Sequence, residues 1–298
     1  MSNLCNQCPR SCNIDRTKNV GFCGENQNCK VAKVMLHHWE EPIISGTEQT
    51  DKKCSGTIFF SGCTLKCVYC QNYEISHKQT GKEYSAEQLA NLFNILENKG
   101  ATNINLVTPT HFTEQIISAL KIYKPSIPVV WNTSGYEKAE QIAKLAGLVD
   151  IFLCDIKYCD ETLSEKYSKC KNYFEKTCKA ILQMKKNCPK DIIENGLMKQ
   201  GLIVRHLVLP THYKDSYKVL EWIEKKLGKD TIVSIMGQYT PCNKAEIYPE
   251  INRKLKPLEY NLVVHHAEKL GLDNCFVQEL ESASTDFIPD FSENEIEI

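Results

Sequence analysis

The sequence predicts an α/β fold, an incomplete (βα)6 barrel preceded by a cysteine-rich extension. Three observations carry this. From Thr57 onward, short apolar runs alternate with amphipathic helical stretches, the pattern of right-handed crossovers and a parallel sheet. The first fifty residues are dense in cysteine and lack helical periodicity. Three further cysteines, Cys63, Cys67 and Cys70, directly follow the first apolar run, at the strand end where βα barrels gather their chemistry.

Strands are expected at Thr57–Ser61, Asn103–Val107, Ile127–Trp131, Val149–Leu153, Leu202–Leu209, Ile232–Met236 and Asn274–Val277. Each is a short apolar run bounded by turn residues, as buried parallel strands are. Helices fill the gaps. Ser85-Ala-Glu-Gln88 reads as a capping box that opens a helix running to Asn98, with Gly100 placed to end it. Thr113–Tyr123, Glu137–Ala146, Asn172–Lys186, Ser216–Leu227 and Leu258–Leu270 follow. Residues 1–50 form the extension, 51–280 the barrel and 281–298 an acidic tail expected to lie over it.

A chain of 298 residues can bury a substantial core. Its net charge of −1 gives no global basic field for nucleic acid or an anionic membrane. No apolar stretch approaches the roughly 20 residues of a spanning helix. The start, Met1-Ser-Asn-Leu-Cys, has neither the basic nor the apolar part of a signal peptide. Sixteen cysteines without an export signal point to metal ligation rather than disulfides, in a reducing, anaerobic cytoplasm. Cys154, Cys159, Cys170, Cys178, Cys188, Cys242 and Cys275 are scattered and read as mostly small apolar residues.

The loop Ser61-Gly62-Cys63-Thr-Leu-Lys-Cys67-Val-Tyr-Cys70 spaces its thiols C-x3-C-x2-C. Thiolates are the usual ligands of iron–sulfur clusters. A [4Fe-4S] cubane bound by three thiolates keeps one iron open, which suits chelation of S-adenosylmethionine (SAM) through its amino and carboxylate groups. The alternatives are a zinc site or three buried thiols; zinc takes four ligands, and three in one loop fit it poorly. The motif resembles the radical SAM signature. That resemblance implies the partial barrel of radical SAM type, and it implies that Tyr69 packs near adenine.

The remaining strand ends supply further candidates. After the second strand comes Val107-Thr-Pro-Thr-His111. Many radical SAM proteins carry Gly-Gly-Glu there; here Pro109 lacks an amide donor, so carbonyls or the Thr108 and Thr110 hydroxyls take its place. His111 is either a functional relay or a backbone-contacting residue. Asn132-Thr-Ser134-Gly135 and Asp155-Ile-Lys157 resemble elements of glycyl-radical-enzyme activases. Asn132 and Ser134 read as SAM contacts or as a simple turn. Strand alternation puts Asp155 and Lys157 on one face, in contact with SAM or substrate or in a plain salt bridge. Arg205, inside an apolar strand, needs an anionic partner, and the SAM carboxylate is one. His206 then points away. Gln238 ends the sixth strand, on the substrate side or in a turn.

Cys5, Cys8, Cys12 and Cys23, with Cys29 beyond, are spaced to wrap one metal centre, either zinc or a second [4Fe-4S] cluster. Adjacent Glu40 and Glu41 are expected to diverge, with Glu41 held extended before Pro42. The set Cys-x2-Cys-Pro-Arg-x-Cys, His-Trp-Glu-Glu-Pro, Gly-Thr-Ile-Phe-Phe-Ser-Gly-Cys and Phe287-Ile-Pro-Asp-Phe291 resembles uncharacterised radical SAM iron–sulfur proteins homologous to pyruvate formate-lyase activating enzyme. The resemblance implies reductive cleavage of SAM to a 5'-deoxyadenosyl radical, a flavodoxin or ferredoxin reductant, and a glycyl radical protein as substrate. A radical SAM enzyme modifying a small molecule or peptide is the alternative; a non-catalytic iron–sulfur carrier or sensor is a third reading. Asn72 followed by Tyr73, where activases usually have Pro, and the missing Gly-Gly-Glu are departures from true activases.

Overall fold

A computed structural model describes residues 4–46, 54–278, 291 and 296–297. The expected tail motif Phe287–Phe291 lies outside the described residues apart from Phe291, whose ring packs edge-on against Phe59 at 5.5 Å.

Seven parallel strands form the body of the sheet: β2 (Ser55–Phe60), β4 (Ile104–Val107), β5 (Val129–Thr133), β6 (Ile151–Asp155), β8 (Leu197–Leu207), β9 (Ile232–Met236) and β10 (Cys275–Val277). They lie side by side in chain order, so the sheet is wound in one direction as a barrel wall is. β1 (Cys29–His37) is added antiparallel to β2. β11 (Ile296–Glu297) pairs with β1 on its outer edge, while β10 ends the other side. Two short ribbons, β3 (Lys82–Tyr84) and β7 (Ile192–Glu194), pair with β1 and β8. The wall is a partial barrel, as the strand–helix alternation implied.

Helices α3 (Ala86–Asn98), α4 (Thr113–Ile122), α5 (Ala139–Ala143), α7 (Tyr173–Asn187), α8 (Tyr213–Leu227) and α9 (Pro257–Leu270) connect the strands. Their buried residues, among them Phe93, Ile116, Ile181, Val219 and Val263, meet Ile58, Leu106, Trp131, Val204 and Val233 of the sheet in one core. Burying each such side chain favours the fold by about 1.5–3 kcal/mol. The expected capping box is present: the Gln88 amide donates to Ser85 Oγ at 3.2 Å and the Ser85 amide to Gln88 Oε1 at 2.9 Å.

Besides short elements, the sequence reading misses one long strand and one helix. β1 carries Lys30 and Lys33 within Cys-Lys-Val-Ala-Lys-Val-Met-Leu-His, so its apolar pattern is broken even though Lys33 is buried. α6 (Glu161–Ser168) is polar in sequence, and an Asp160 cap rather than an apolar stripe marks its start. Short α1 (Pro42–Ser45) and α2 (Tyr73–His77) flank the cluster loop and the preceding acidic bend.

Candidate active site

The C-terminal ends of the parallel strands open into a cavity of about 520 Å³. Ten of the residues expected around SAM and its cluster line it: Cys63, Tyr69, Cys67 and Cys70 from the loop after β2, Thr108 after β4, Asn132 and Ser134 at β5, Asp155 and Lys157 at β6, and Arg205 on β8. Thr108 has a left-handed φ of 61°, a strained setting for a threonine of the kind concentrated at functional sites.

The cysteine loop rests on a second, tyrosine-rich core. Leu65, Val68 and Tyr69 pack with Tyr136, Tyr158, Tyr167, Tyr173 and Tyr239. The Tyr69 and Tyr158 hydroxyls touch, and the Tyr69 and Tyr239 rings meet edge-on at 5.6 Å. Each sulfur has a polar neighbour. The Leu65 amide donates to Cys63 Sγ at 3.4 Å, Ser168 Oγ lies 2.9 Å from Cys67 Sγ, and Ser76 Oγ lies 3.3 Å from Cys70 Sγ. Hydrogen bonds to sulfur are one lever on cluster potential.

Burial pushes the Cys63 thiol up to about 11 and the Cys70 thiol up to about 12; Lys157 pulls both down. Burial also raises Cys67, again against Lys157. Thiols raised in this way are protonated near neutrality unless a cation compensates them, and iron is such a cation. Among the described residues no three His, Cys, Asp or Glu side chains converge as a single ion requires. Three thiols facing one cavity from one loop, with Lys157 near all of them, therefore fit a multi-iron cluster with an open position.

Opposite the thiols lies a buried ion network. Arg205 Nε donates to Asp155 Oδ1 at 2.8 Å and Nη2 to Asn132 Oδ1 at 2.7 Å. Its Nη1 meets Glu40 Oε2 at 3.3 Å and Glu41 Oε2 at 3.6 Å. Lys157 Nζ holds Asp155 Oδ2 at 2.7 Å, confirming the shared face that alternation required. Asp155 and Arg205 are register neighbours on β6 and β8, so the sheet itself delivers the pair. Asn105 and Asn132 donate to Glu40 Oε1 at 2.9 and 3.1 Å. Burial pushes the Asp155 carboxyl up, but Arg205 and Lys157 outweigh it and hold it below the ordinary range. For Glu40 and Glu41 burial wins over Arg205, and both carboxyls are raised.

Adjacent Glu40 and Glu41 were expected to diverge. They do not, because they sit in a bend before α1 rather than on a regular element, and both reach Arg205. Glu41 is extended before Pro42, with φ −51° and ψ 142°. Glu40 is the residue that sequence reasoning left without a role; the signal was a pair of carboxylates matched to an arginine stranded in an apolar strand. Glu137 was also missed. It is buried and accepts from Thr110 Oγ1 at 2.7 Å, Thr133 Oγ1 at 2.8 Å and Trp131 Nε1 at 3.0 Å, propping the turn that carries Asn132 and Ser134. Thr110, whose hydroxyl was a candidate SAM contact, is thus engaged beneath the cavity floor.

His111 and His206 face away from the cavity. His111 Nε2 lies 2.6 Å from the Ser61 carbonyl, and His206 bridges the Ile156 carbonyl at 2.6 Å and Ser216 Oγ at 2.8 Å. Burial pushes their imidazoles down to about 3 and about 4, against carbonyl contacts that raise them. Unfolded histidine titrates near 6.5, so each stabilises the fold fully above that pH. That stability is lost as pH falls below about 6.5, by up to about 1.4 kcal/mol per pH unit per group. Buried Glu25 and Glu137, with raised carboxyls, act in the opposite sense, so the group-specific check is nuclear magnetic resonance. Both imidazoles should remain neutral at pH 5; a protonated His111 there would contradict this.

The N-terminal cysteines gather beside the loop. Burial pushes the Cys8 thiol up to about 12, with Cys23, Cys12 and Cys5 all close enough to add to the shift. The Phe22 amide donates to Cys12 Sγ at 3.4 Å. Cys29 instead belongs to the main core on β1, which leaves Cys5, Cys8, Cys12 and Cys23 as the set. No disulfide links any cysteine among the described residues. No described helix is long and apolar enough to cross a membrane.

Comparisons with known proteins bear on the family and the fold. The Radical SAM superfamily model matches residues 57–199. The chain is 33% identical to the uncharacterized protein MJ0674 of Methanocaldococcus jannaschii over 281 residues, 90% of this chain and 75% of that one. It is 29% identical to the pyruvate formate-lyase-activating enzyme of Clostridium pasteurianum over 216 residues, 68% of this chain and 82% of that one. In fold it is similar to the crystal structure of Streptococcus suis SuiB, with a TM-score of 0.50 at 11% identity over 75% of this chain. It spans about half (49%) of the length of SuiB. Radical SAM enzymes use a [4Fe-4S] cluster and SAM and draw on a reductant. With a three-thiol loop at the strand ends of a partial barrel and a relative matched along most of both chains, this protein belongs to the radical SAM superfamily.

Proposed function

We propose that this protein is an activase-like radical SAM enzyme that generates a 5'-deoxyadenosyl radical to abstract hydrogen from a glycyl radical protein. The observation that carries the reading is the single cavity in which the Cys63, Cys67 and Cys70 thiols face the Asn132–Asp155–Lys157–Arg205 network. The likeness to the Clostridium pasteurianum activating enzyme supports the choice of partner. The three thiolates would hold the cluster, which when bound supplies the electron and the open iron that reductive SAM cleavage needs. Tyr69, Thr108, Asn132, Ser134, Asp155, Lys157 and Arg205 would contact SAM. In that role Arg205 fixes Asn132 and Asp155 as polar groups facing the ligand, and Lys157 offsets negative charge near the thiolates. The tyrosine layer behind the loop keeps water from the cluster side. Cys5, Cys8, Cys12 and Cys23 would hold a second centre. A chain that already receives one cluster from iron–sulfur machinery favours a second [4Fe-4S] cluster over zinc there.

Anaerobic incubation with SAM, dithionite and candidate glycyl radical proteins tests the proposal. The expected result is deoxyadenosine formation together with a glycyl radical doublet in electron paramagnetic resonance. Deoxyadenosine without any protein radical across the candidates would favour the second reading, modification of a small molecule or peptide.

A further inference from the structure

The N-terminal cysteine loop and the loop of Cys63 are joined through backbone. The Cys63 amide donates to the Cys23 carbonyl at 3.2 Å. Gly62, with φ +78°, makes this approach possible: a Cβ there would lie 2.7 Å from the Cys23 carbonyl oxygen and 2.6 Å from Glu25 Cγ. A second tie runs from Arg10, between Cys8 and Cys12, whose Nε donates to the Thr64 carbonyl at 2.8 Å. The Arg10 guanidinium lies over the Phe22 ring at 3.8 Å, clamping the loop from the other side. A third passes through Arg16, whose Nη1 donates to the His111 carbonyl at 2.6 Å while His111 contacts Ser61. Within the N-terminal set Cys5 and Cys12 are partly exposed, while Cys8 and Cys23 are buried on the side of the Cys63 loop.

We propose that the N-terminal quartet is a one-electron relay: a centre on Cys5, Cys8, Cys12 and Cys23 accepts an electron from a low-potential carrier protein and passes it across the Cys23 carbonyl–Cys63 amide hydrogen bond. The proposal rests on the reading that both cysteine sets hold iron–sulfur centres. The electron balance is simple. The carrier is oxidised by one electron, the outer centre is reduced and then reoxidised as the electron moves on, and the group at Cys63 gains it. No proton moves and no covalent bond forms or breaks in the transfer. The geometry suits the task, because the outer set reaches the surface and its last cysteine is separated from the first cysteine of the inner set by one hydrogen bond.

The test uses full-length protein prepared anaerobically. Iron analysis should give about eight irons per chain. In the fully reduced protein, electron paramagnetic resonance should show two paramagnetic centres split or broadened by mutual magnetic coupling. The double variant Cys8→Ser/Cys12→Ser should keep about four irons and give one unsplit signal. Freeze-quench with reduced flavodoxin as donor should then show the inner cluster reduced at least tenfold more slowly in the variant. Dithionite, small enough to enter the cavity, should reduce it within about twofold of the unaltered protein. Eight irons without coupling, or equal rates with flavodoxin, would overturn the relay and leave the second centre standing. Four irons in the unaltered protein would overturn both and leave the SAM site untouched. If the variant does not fold, the coupling in the unaltered protein decides the matter.

Discussion

Replacing Cys63, Cys67 and Cys70 together by alanine should abolish deoxyadenosine formation from SAM and dithionite, to the background of the reagents alone. The thiols lie on one loop and face one cavity, and no other cysteine lines that cavity. A cluster that loses all three protein ligands has nothing to hold it, so about four irons per chain should disappear as well. The fold should survive. Alanine leaves only small voids at these positions; Cys67 packs in the tyrosine layer, but the β2–β4–β5 wall does not depend on the sulfurs. Circular dichroism and the thermal midpoint separate loss of chemistry from loss of structure. SAM cleavage that persists in a folded triple variant lacking these irons would remove the basis for placing the reaction in this cavity.

Much of the barrel was legible because its parallel strands are buried on both faces and read as continuous apolar runs. Val129–Thr133 and Ile151–Asp155 are buried throughout. The cysteine loop was legible through spacing, and Asp155, Lys157 and Arg205 through a different signal, charge inside or at the end of an apolar strand. What stayed hidden has physical causes. β1 is interrupted by two lysines and flanked by cysteines that suggested a metal-ordered segment. Glu40 comes from an irregular bend 165 residues before Arg205, and no periodicity connects them. Glu137 looked like the polar start of a helix. Its burial follows from three donors, Thr110, Trp131 and Thr133, that the strand ends place around it. In both cases the missing information was which buried donors and cations would need a carboxylate, and only the three-dimensional register supplies it.

The ion network makes the second large prediction. Substituting Arg205→Met should destabilise the protein by roughly 3–5 kcal/mol at pH 8, the usual cost of removing one partner from a buried ion pair. Methionine fills much of the volume, so the loss is electrostatic rather than a cavity effect. Asp155 would then keep Lys157, whereas Glu40 and Glu41 would lose the cation that both reach, and the three side chains are just 12, 10 and 5% exposed. The pH dependence gives a sharper test. In the variant the carboxyls of Glu40 and Glu41, already raised by burial, lose the arginine that lowered them and rise further. Above the unfolded carboxyl range the native state then binds more protons than the unfolded state, so its stability falls as pH rises. The gap between unaltered and variant protein should therefore be widest at pH 8 and shrink towards pH 5.5. Arg205→Lys should recover part of the stability but not the fork that joins Asp155 to Asn132. Urea unfolding at the two pH values measures all three proteins. A variant within about 1 kcal/mol of the unaltered chain at pH 8, with no narrowing at pH 5.5, would mean that Arg205 does not hold these carboxylates in place.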